Sequence, residues 1–322
     1  MRKQMIEQAQ CIAIFGHDSP DGDAIGSMLW LGRILENMGK SIFYFTSPLP
    51  SKIFSFLPGI EKIKNTFDYK NKYDLIIFVD FSPYIRTVFA KGQYDYFDSK
   101  PLLIVDHHLG DCPAHAIVLK DSEADSNCEW IFENTKDIRS DWYDSEVATY
   151  LYMGIVTDTN CFEHDKQWAR SLRNAADLVD IGADKWTITN NIFGSLSLAQ
   201  IQFTSSVMDR FIIDHGIWYV WYDTDELVHY GLEKEWSSIY ITDIVRKIEW
   251  ISVALIFRKD GDCFKVSLRS KTPDINVADL AGHFGGWGHF YASGMKIPIA
   301  SGDDSEQKVT EVIAEVKKIL SL

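Results

Sequence analysis

Two hydrophobic patterns alternate through the first half of the chain. Short runs that are apolar at almost every position, at 11–16, 75–79 and 102–105, predict strands buried on both faces, as in a parallel sheet. Between and after them, apolar residues recur at helical spacing. This predicts helices over 24–38, closed by Gly39, and near 124–134, 143–155 and 167–181, with a further strand at 41–46. Strand–helix alternation of this kind predicts an α/β domain. The texture then changes. Residues 196–211 predict a helix linking two domains, followed by strands at 217–221, 251–257 and 264–268 and helices near 276–283 and 306–320. The expected fold class is therefore α/β, with an N-terminal parallel-sheet domain (1–195), a helical linker (196–214) and a smaller α/β C-terminal domain (215–322). There is no internal repeat and no low-complexity tract.

Composition narrows the classes. A chain of 322 residues, 46% of them hydrophobic, can bury two cores and does not have the composition of a disordered protein. The N-terminus, MRKQMIEQAQ, is too polar for a signal peptide, and no apolar run approaches a membrane span. Five scattered cysteines without a CxxC pair suggest a reduced, cytoplasmic protein with no membrane partner. A net charge of −14 argues against long nucleic acids as partners, because these need clustered Lys and Arg. It does not exclude a small anionic substrate in a local pocket, and it leaves a homodimer open.

The chemistry lies where the strands end. The run 11–16 leads into His17, Asp21 and Asp23, the run 75–79 into Asp80, and the run 102–105 into Asp106-His107-His108. A fourth apolar stretch, 151–156, leads to Asp158. Strands of a parallel sheet share one carboxyl edge, where ligands bind, so the first three groups are expected to converge, and Asp158 joins them if its helix ends over the same edge. Singly, each has an ordinary reading. Asp21 or Asp23 would cap a helix, Asp80 would be a turn residue, and the His pair a surface accident. Jointly they form an oxygen-rich donor set with a minority of imidazole, which suits Mn²⁺ or Mg²⁺ better than zinc. Six or more ligands exceed one ion's needs once waters are counted. Two ions sharing a bridging carboxylate fit better.

The stretches HDSPDGDAIGS (17–27), FVDFS, IVDHH and GIVTDT, in this order, resemble the signatures of the DHH phosphoesterases. VSLRS (266–270) and HFGGWGHFYASG (283–294) resemble the glycine-rich signature of the DHH-associated C-terminal domain. The resemblance implies that His17, Asp21 and Asp80 hold one Mn²⁺. Asp23, Asp80, His107 and Asp158 would hold the other, with Asp80 bridging. It implies a water activated between the ions that attacks phosphorus in line. His108 would contact a phosphoryl oxygen or the leaving group, and Asp106 would orient an imidazole. Arg269, Ser270, Gly285, Gly286 and His289 would bind substrate, the glycines by presenting backbone N–H groups to an anion.

Three positions depart from the family pattern. Trp287 stands where a third glycine is usual. Asn160-Cys161-Phe162-Glu163 replaces a usual Gly followed by Phe-Arg. Ala124-Asp125-Ser126-Asn127 replaces a small-hydroxyl cluster. The resemblance implies a manganese-dependent phosphoesterase for short nucleotides: oligoribonucleotides, linear or cyclic dinucleotides, or pAp. The competing readings are a pyrophosphatase or exopolyphosphatase using the same metal half, and a non-catalytic nucleotide sensor.

Overall fold

The computed structural model describes residues 2–81, 87–108, 110–137, 139–163, 168–194, 196–232, 239–288, 290–300 and 302–322. The chain divides into two compact units, Met1–Ser195 and Leu196–Leu322.

The first unit runs α1 (Arg2–Gln8), β1 (Cys11–Phe15), α2 (Gly22–Asn37), β2 (Ser41–Phe45), β3 (Ile63–Lys64), β4 (Leu75–Val79), α3 (Tyr94–Asp98), β5 (Leu102–Asp106) and β6 (Ile117–Lys120). Four helices follow: α4 (Asn127–Thr135), α5 (Ser145–Asp158), α6 (Trp168–Ile181) and α7 (Lys185–Ile188). The strands form a wholly parallel sheet in the order β3-β2-β1-β4-β5-β6. Every residue of β4 is buried, because both faces of the sheet are covered. Ile12, Ile14, Ile77 and Val79 point into a core with α2 and α5. Their neighbours Ala13, Phe15, Ile76 and Phe78 point into an aromatic cluster, where Phe15 meets five other phenylalanine rings at 5.1–5.6 Å. The helices α2 and α5 approach so closely that a Cβ at Gly26 would lie 2.4 Å from the Tyr150 carbonyl oxygen.

The second unit runs α8 (Leu198–Met208), β7 (Ile212–Asp214), β8 (Ile217–Asp223), α9 (Thr224–His229), α10 (Ile239–Arg246), β9 (Val253–Asp260), β10 (Cys263–Ser270), α11 (Val277–His283), β11 (Trp287–Gly288), β12 (Ala292–Pro298) and α12 (Ser305–Leu320). Its sheet has the order β11-β12-β10-β9-β8-β7 and is antiparallel except for the β8–β9 pair. Strand β10 shows the matching alternation, with Phe264, Val266, Leu268 and Ser270 buried and their neighbours half-buried. Residues of α11 and α12 cover one face, and α8 and α10 contribute to the core on the other. Helix α8 sinks Phe203 and Val207 into that second core beside Trp218 and Tyr222. Among the described residues no helix is long and apolar enough to cross a membrane.

Candidate metal centre

The carboxyl edge of the parallel sheet gathers the charged residues. Leaving β1, the chain places His17 and then Asp21, which caps α2. Asp21 Oδ1 accepts from the backbone N–H of Asp23 and of Ala24, both at 3.0 Å. The capping role expected of an isolated Asp is therefore real, and it coexists with a second contact. The same oxygen lies 3.6 Å from His17 Nε2. Leaving β4, Asp80 adopts φ +62°, a left-handed conformation that costs a residue with a Cβ about 1–2 kcal/mol. Its carboxylate is buried between two groups. Oδ2 is 3.6 Å from His17 Nε2, and Oδ1 is 3.4 Å from His107 Nε2 and 3.6 Å from His108 Nδ1.

Strand β5 ends in Asp106, and the two histidines follow. His107 is buried, and its Nδ1 lies 3.2 Å from the Ala124 carbonyl oxygen. That contact assigns the proton to Nδ1 and leaves Nε2 as the nitrogen that would coordinate a cation. His17 has the same arrangement, with Nδ1 3.0 Å from the Asp18 carbonyl oxygen. Asp158, the last residue of α5, brings Oδ2 to 3.3 Å from His107 Nε2, and Asp23 brings Oδ2 to 3.8 Å. The Asp23 carboxylate is wholly buried. It accepts from the first-turn amides of α4, Asn127 N–H at 2.6 Å and Cys128 N–H at 2.9 Å. A helix N-terminus is a favourable place for a carboxylate. Gly154 of α5 makes room for it, since a Cβ there would lie 2.6 Å from Asp23 Oδ1.

The electrostatics of this edge are strained without a cation. Burial, followed by the charges of Asp23, Asp21, Asp158 and Asp106, pushes the Asp80 carboxyl well above the usual carboxylate range. Burial and the neighbouring His108 push His107 down. Burial alone would lower His17 as well, but the Asp21 carboxylate beside it outweighs burial and raises it.

Side chains fall into three overlapping groups: His17-Asp21-Asp80, Asp23-His107-Asp158 and Asp80-His107-His108. The ligand atoms within each lie within 4.8 Å of one another. The imidazole–carboxylate separations among the expected ligands, 3.3–3.8 Å, exceed a hydrogen bond with nitrogen as donor. They approach the roughly 3–3.7 Å between adjacent oxygens around a cation whose ligands stand at 2.0–2.6 Å. Asp80 Oδ1 is buried and accepts no hydrogen bond among the described residues. The donor set therefore fits divalent cations.

All six sequence-predicted ligands meet at this edge, together with His108 and Asp106. Asp106 Oδ1 accepts from the His108 backbone N–H at 3.0 Å and lies 2.9 Å from His108 Nδ1. Sequence reasoning did not single out the residues behind the ligands. Ser171, Asn174 and Arg170 surround the buried carboxylate of Glu129, which also accepts from the Asp125 N–H. This network steadies the segment that supplies the Ala124 carbonyl and the α4 amides. Beyond Asp158, Asn160, Cys161 and Phe162 are all left-handed, with φ 47°, 56° and 66°, where the family pattern has a glycine. Thr159 stitches this turn to the helix: its hydroxyl donates to the Ile155 carbonyl at 2.7 Å and accepts from the Phe162 N–H at 3.1 Å.

The glycine motif of the second unit behaves differently. Gly285, at φ +74°, ends α11, and its N–H donates to the Gly282 carbonyl at 3.0 Å. The Gly286 N–H donates to the Ala281 carbonyl at 2.8 Å. This is a helix-terminating pair of bonds, so both amides expected to face an anion are engaged by the helix. Gly286 has a second constraint, because a Cβ would lie 2.3 Å from the Gly294 carbonyl oxygen. Arg269 is half-buried on β10, with Nη1 donating to the Leu268 carbonyl. Ser270 is buried on the opposite face, and its hydroxyl donates to the Thr272 carbonyl at 2.8 Å. Trp287 is 54% exposed and pairs with Gly294 of β12. His289 lies outside the described residues.

Residues 11–155 match the DHH family, N-terminal domain. Over most of its length it is similar to the bifunctional oligoribonuclease and PAP phosphatase NrnA of Thermus thermophilus, at 26% identity over 94% of this chain and 89% of that protein. It is equally similar, at 26%, to the protein of the same name from Bacillus subtilis, over 89% of each chain. Its fold is similar to that of an exopolyphosphatase-related protein from Bacteroides fragilis, with TM-score 0.84 and 23% identity over 98% of this chain and 94% of that one.

Proposed function

We propose that this protein hydrolyses phosphate esters of short nucleotides with two divalent cations. The substrates are oligoribonucleotides, linear or cyclic dinucleotides, or pAp. The observation that carries the reading is the convergence of His17, Asp21, Asp23, Asp80, His107 and Asp158 around a shared Asp80. The similarity to relatives named as oligoribonuclease and PAP phosphatase supports the substrate class. His17, Asp21 and Asp80 hold one ion, and Asp23, Asp80, His107 and Asp158 hold the other. Manganese is the assigned ion, and magnesium also suits the donors. Bound ions of this kind supply Lewis-acid activation of water and offset phosphoryl charge. Asp106 holds the Nδ1 of His108, so Nε2 is the nitrogen that addresses a phosphoryl oxygen or the leaving group. Arg269 holds a substrate phosphate. Trp287 offers an indole face to a base.

The test is a substrate panel, with Mn²⁺ or with chelator, resolved by chromatography. The panel contains pApA, pAp, a cyclic dinucleotide and pyrophosphate. Manganese-dependent release of nucleoside monophosphate from pApA is expected. Turnover of pyrophosphate alone would move the protein to the pyrophosphatase class. No turnover of any substrate with metal bound would move it to the sensor class.

A further inference from the structure

Lys120 ends β6 and stands in register beside Asp106 at the end of β5. Its side chain is only 18% exposed. Its Nζ lies 3.4 Å from Asp106 Oδ2 and donates to the Gly110 carbonyl at 3.1 Å. The two oxygens of the buried Asp106 carboxylate are thus divided. Oδ1 serves the backbone N–H and Nδ1 of His108, and Oδ2 serves the lysine. One ammonium therefore ties together both ends of the segment 106–110, which carries both imidazoles.

A buried carboxylate can rotate about its own Cβ–Cγ bond. An ammonium anchored on Oδ2 resists that rotation and keeps Oδ1 aimed at the imidazole. The bond to Gly110 holds the same ammonium from the far side of the histidines. Neither contact was visible in the sequence, where Lys120 is only one charged residue after a short apolar run.

We infer that Lys120 is a positioning residue: through Asp106 it fixes the ring orientation and tautomer of His108. The inference rests on the reading that His108 addresses the phosphoryl group. An ion pair that only stabilises the fold would affect thermal stability and leave the imidazole unchanged.

The experiment compares wild type, Lys120→Met, Lys120→Gln, Lys120→Arg, His108→Ala and the double variant His108→Ala/Lys120→Met. It measures kcat and KM on pApA with saturating Mn²⁺, alongside thermal midpoints. Nitrogen–proton correlation spectra of His108, recorded with diamagnetic Mg²⁺, report the tautomer independently of turnover. Lys120→Met should lower kcat about 10–100-fold, the usual effect of losing a ligand-orienting partner, with KM changed less than about threefold. Lys120→Arg should recover most of the loss. In the His108→Ala background, Lys120→Met should cost nothing further. The wild-type spectrum should show a single Nδ1–H form, and the Met and Gln variants a mixture. Additive losses in the double variant would overturn the inference, as would an unchanged His108 tautomer in the folded Met or Gln variant. If the wild type hydrolyses no nucleotide, the functional reading fails by itself, and the spectra still decide the role of Lys120.

Discussion

The carboxyl edge of the first sheet and the glycine turn of the second unit contrast sharply. At the edge, the carboxylates and imidazoles of the expected ligands stand 3.3–3.8 Å apart, too far to satisfy one another and close enough to share a cation. At the glycine turn, the Gly285 and Gly286 amides are both paired with helix carbonyls. A ligand site keeps polar atoms oriented and not fully satisfied, whereas a structural turn consumes them. By that measure the edge is built to receive something. The glycine turn instead brings β11 and β12 together and positions Trp287.

The largest test of this contrast is Asp80. Asp80→Ala or Asp80→Asn should abolish measurable turnover and reduce bound Mn²⁺, because under the two-ion proposal the shared carboxylate would serve both ions. Undiminished activity with full metal content would break the two-ion reading. His108→Ala should lower kcat by about 10²–10³ while metal stays bound, as expected for one transition-state donor. Loss of metal instead would exchange the roles of His107 and His108. In the second unit, Arg269→Ala should raise KM for pApA roughly ten- to hundredfold, because a charged hydrogen bond to phosphate is worth about 1.5–3 kcal/mol. Equal kcat and KM effects would contradict a pure binding role.

The smallest expected effect sharpens the comparison from the other side. Gly285→Ala imposes a Cβ on a residue at φ +74° and should cost about 1 kcal/mol, a fall of roughly 2–4 °C in thermal midpoint. With both neighbouring amides engaged by the helix, KM should stay within about twofold. A large rise in KM with little loss of stability would return Gly285 to the substrate site.

Much of the first unit was legible in the sequence. Runs apolar at every position mean burial on both faces, and parallel strands must share a carboxyl edge. The convergence of Asp80, Asp106 and His107 followed from that alone. Asp158 was harder. The predicted helix stopped near 155, whereas α5 continues to Asp158, and those three residues carry the carboxylate to the site. Strand β6 was missed because it is a four-residue edge strand whose apolar run, Ile117-Val118-Leu119, is too short to be decisive. Missing β6 meant missing Lys120, whose role depends on register and not on neighbours in sequence.

Residue type and order determined the donors: which carboxylates and imidazoles follow which strands, and hence the chemistry they can support. Local pattern suffices there because a strand's end is a property of its own few residues. Only the tertiary structure decided which of those atoms were already committed. Asp23 is a candidate ligand that also receives the N-terminus of α4, more than a hundred residues further along the chain. Gly285 and Gly286 resemble anion-binding glycines, yet their amides close a helix. Hydrogen-bond saturation depends on every group within about 3 Å in space, and the one-dimensional pattern does not carry that information.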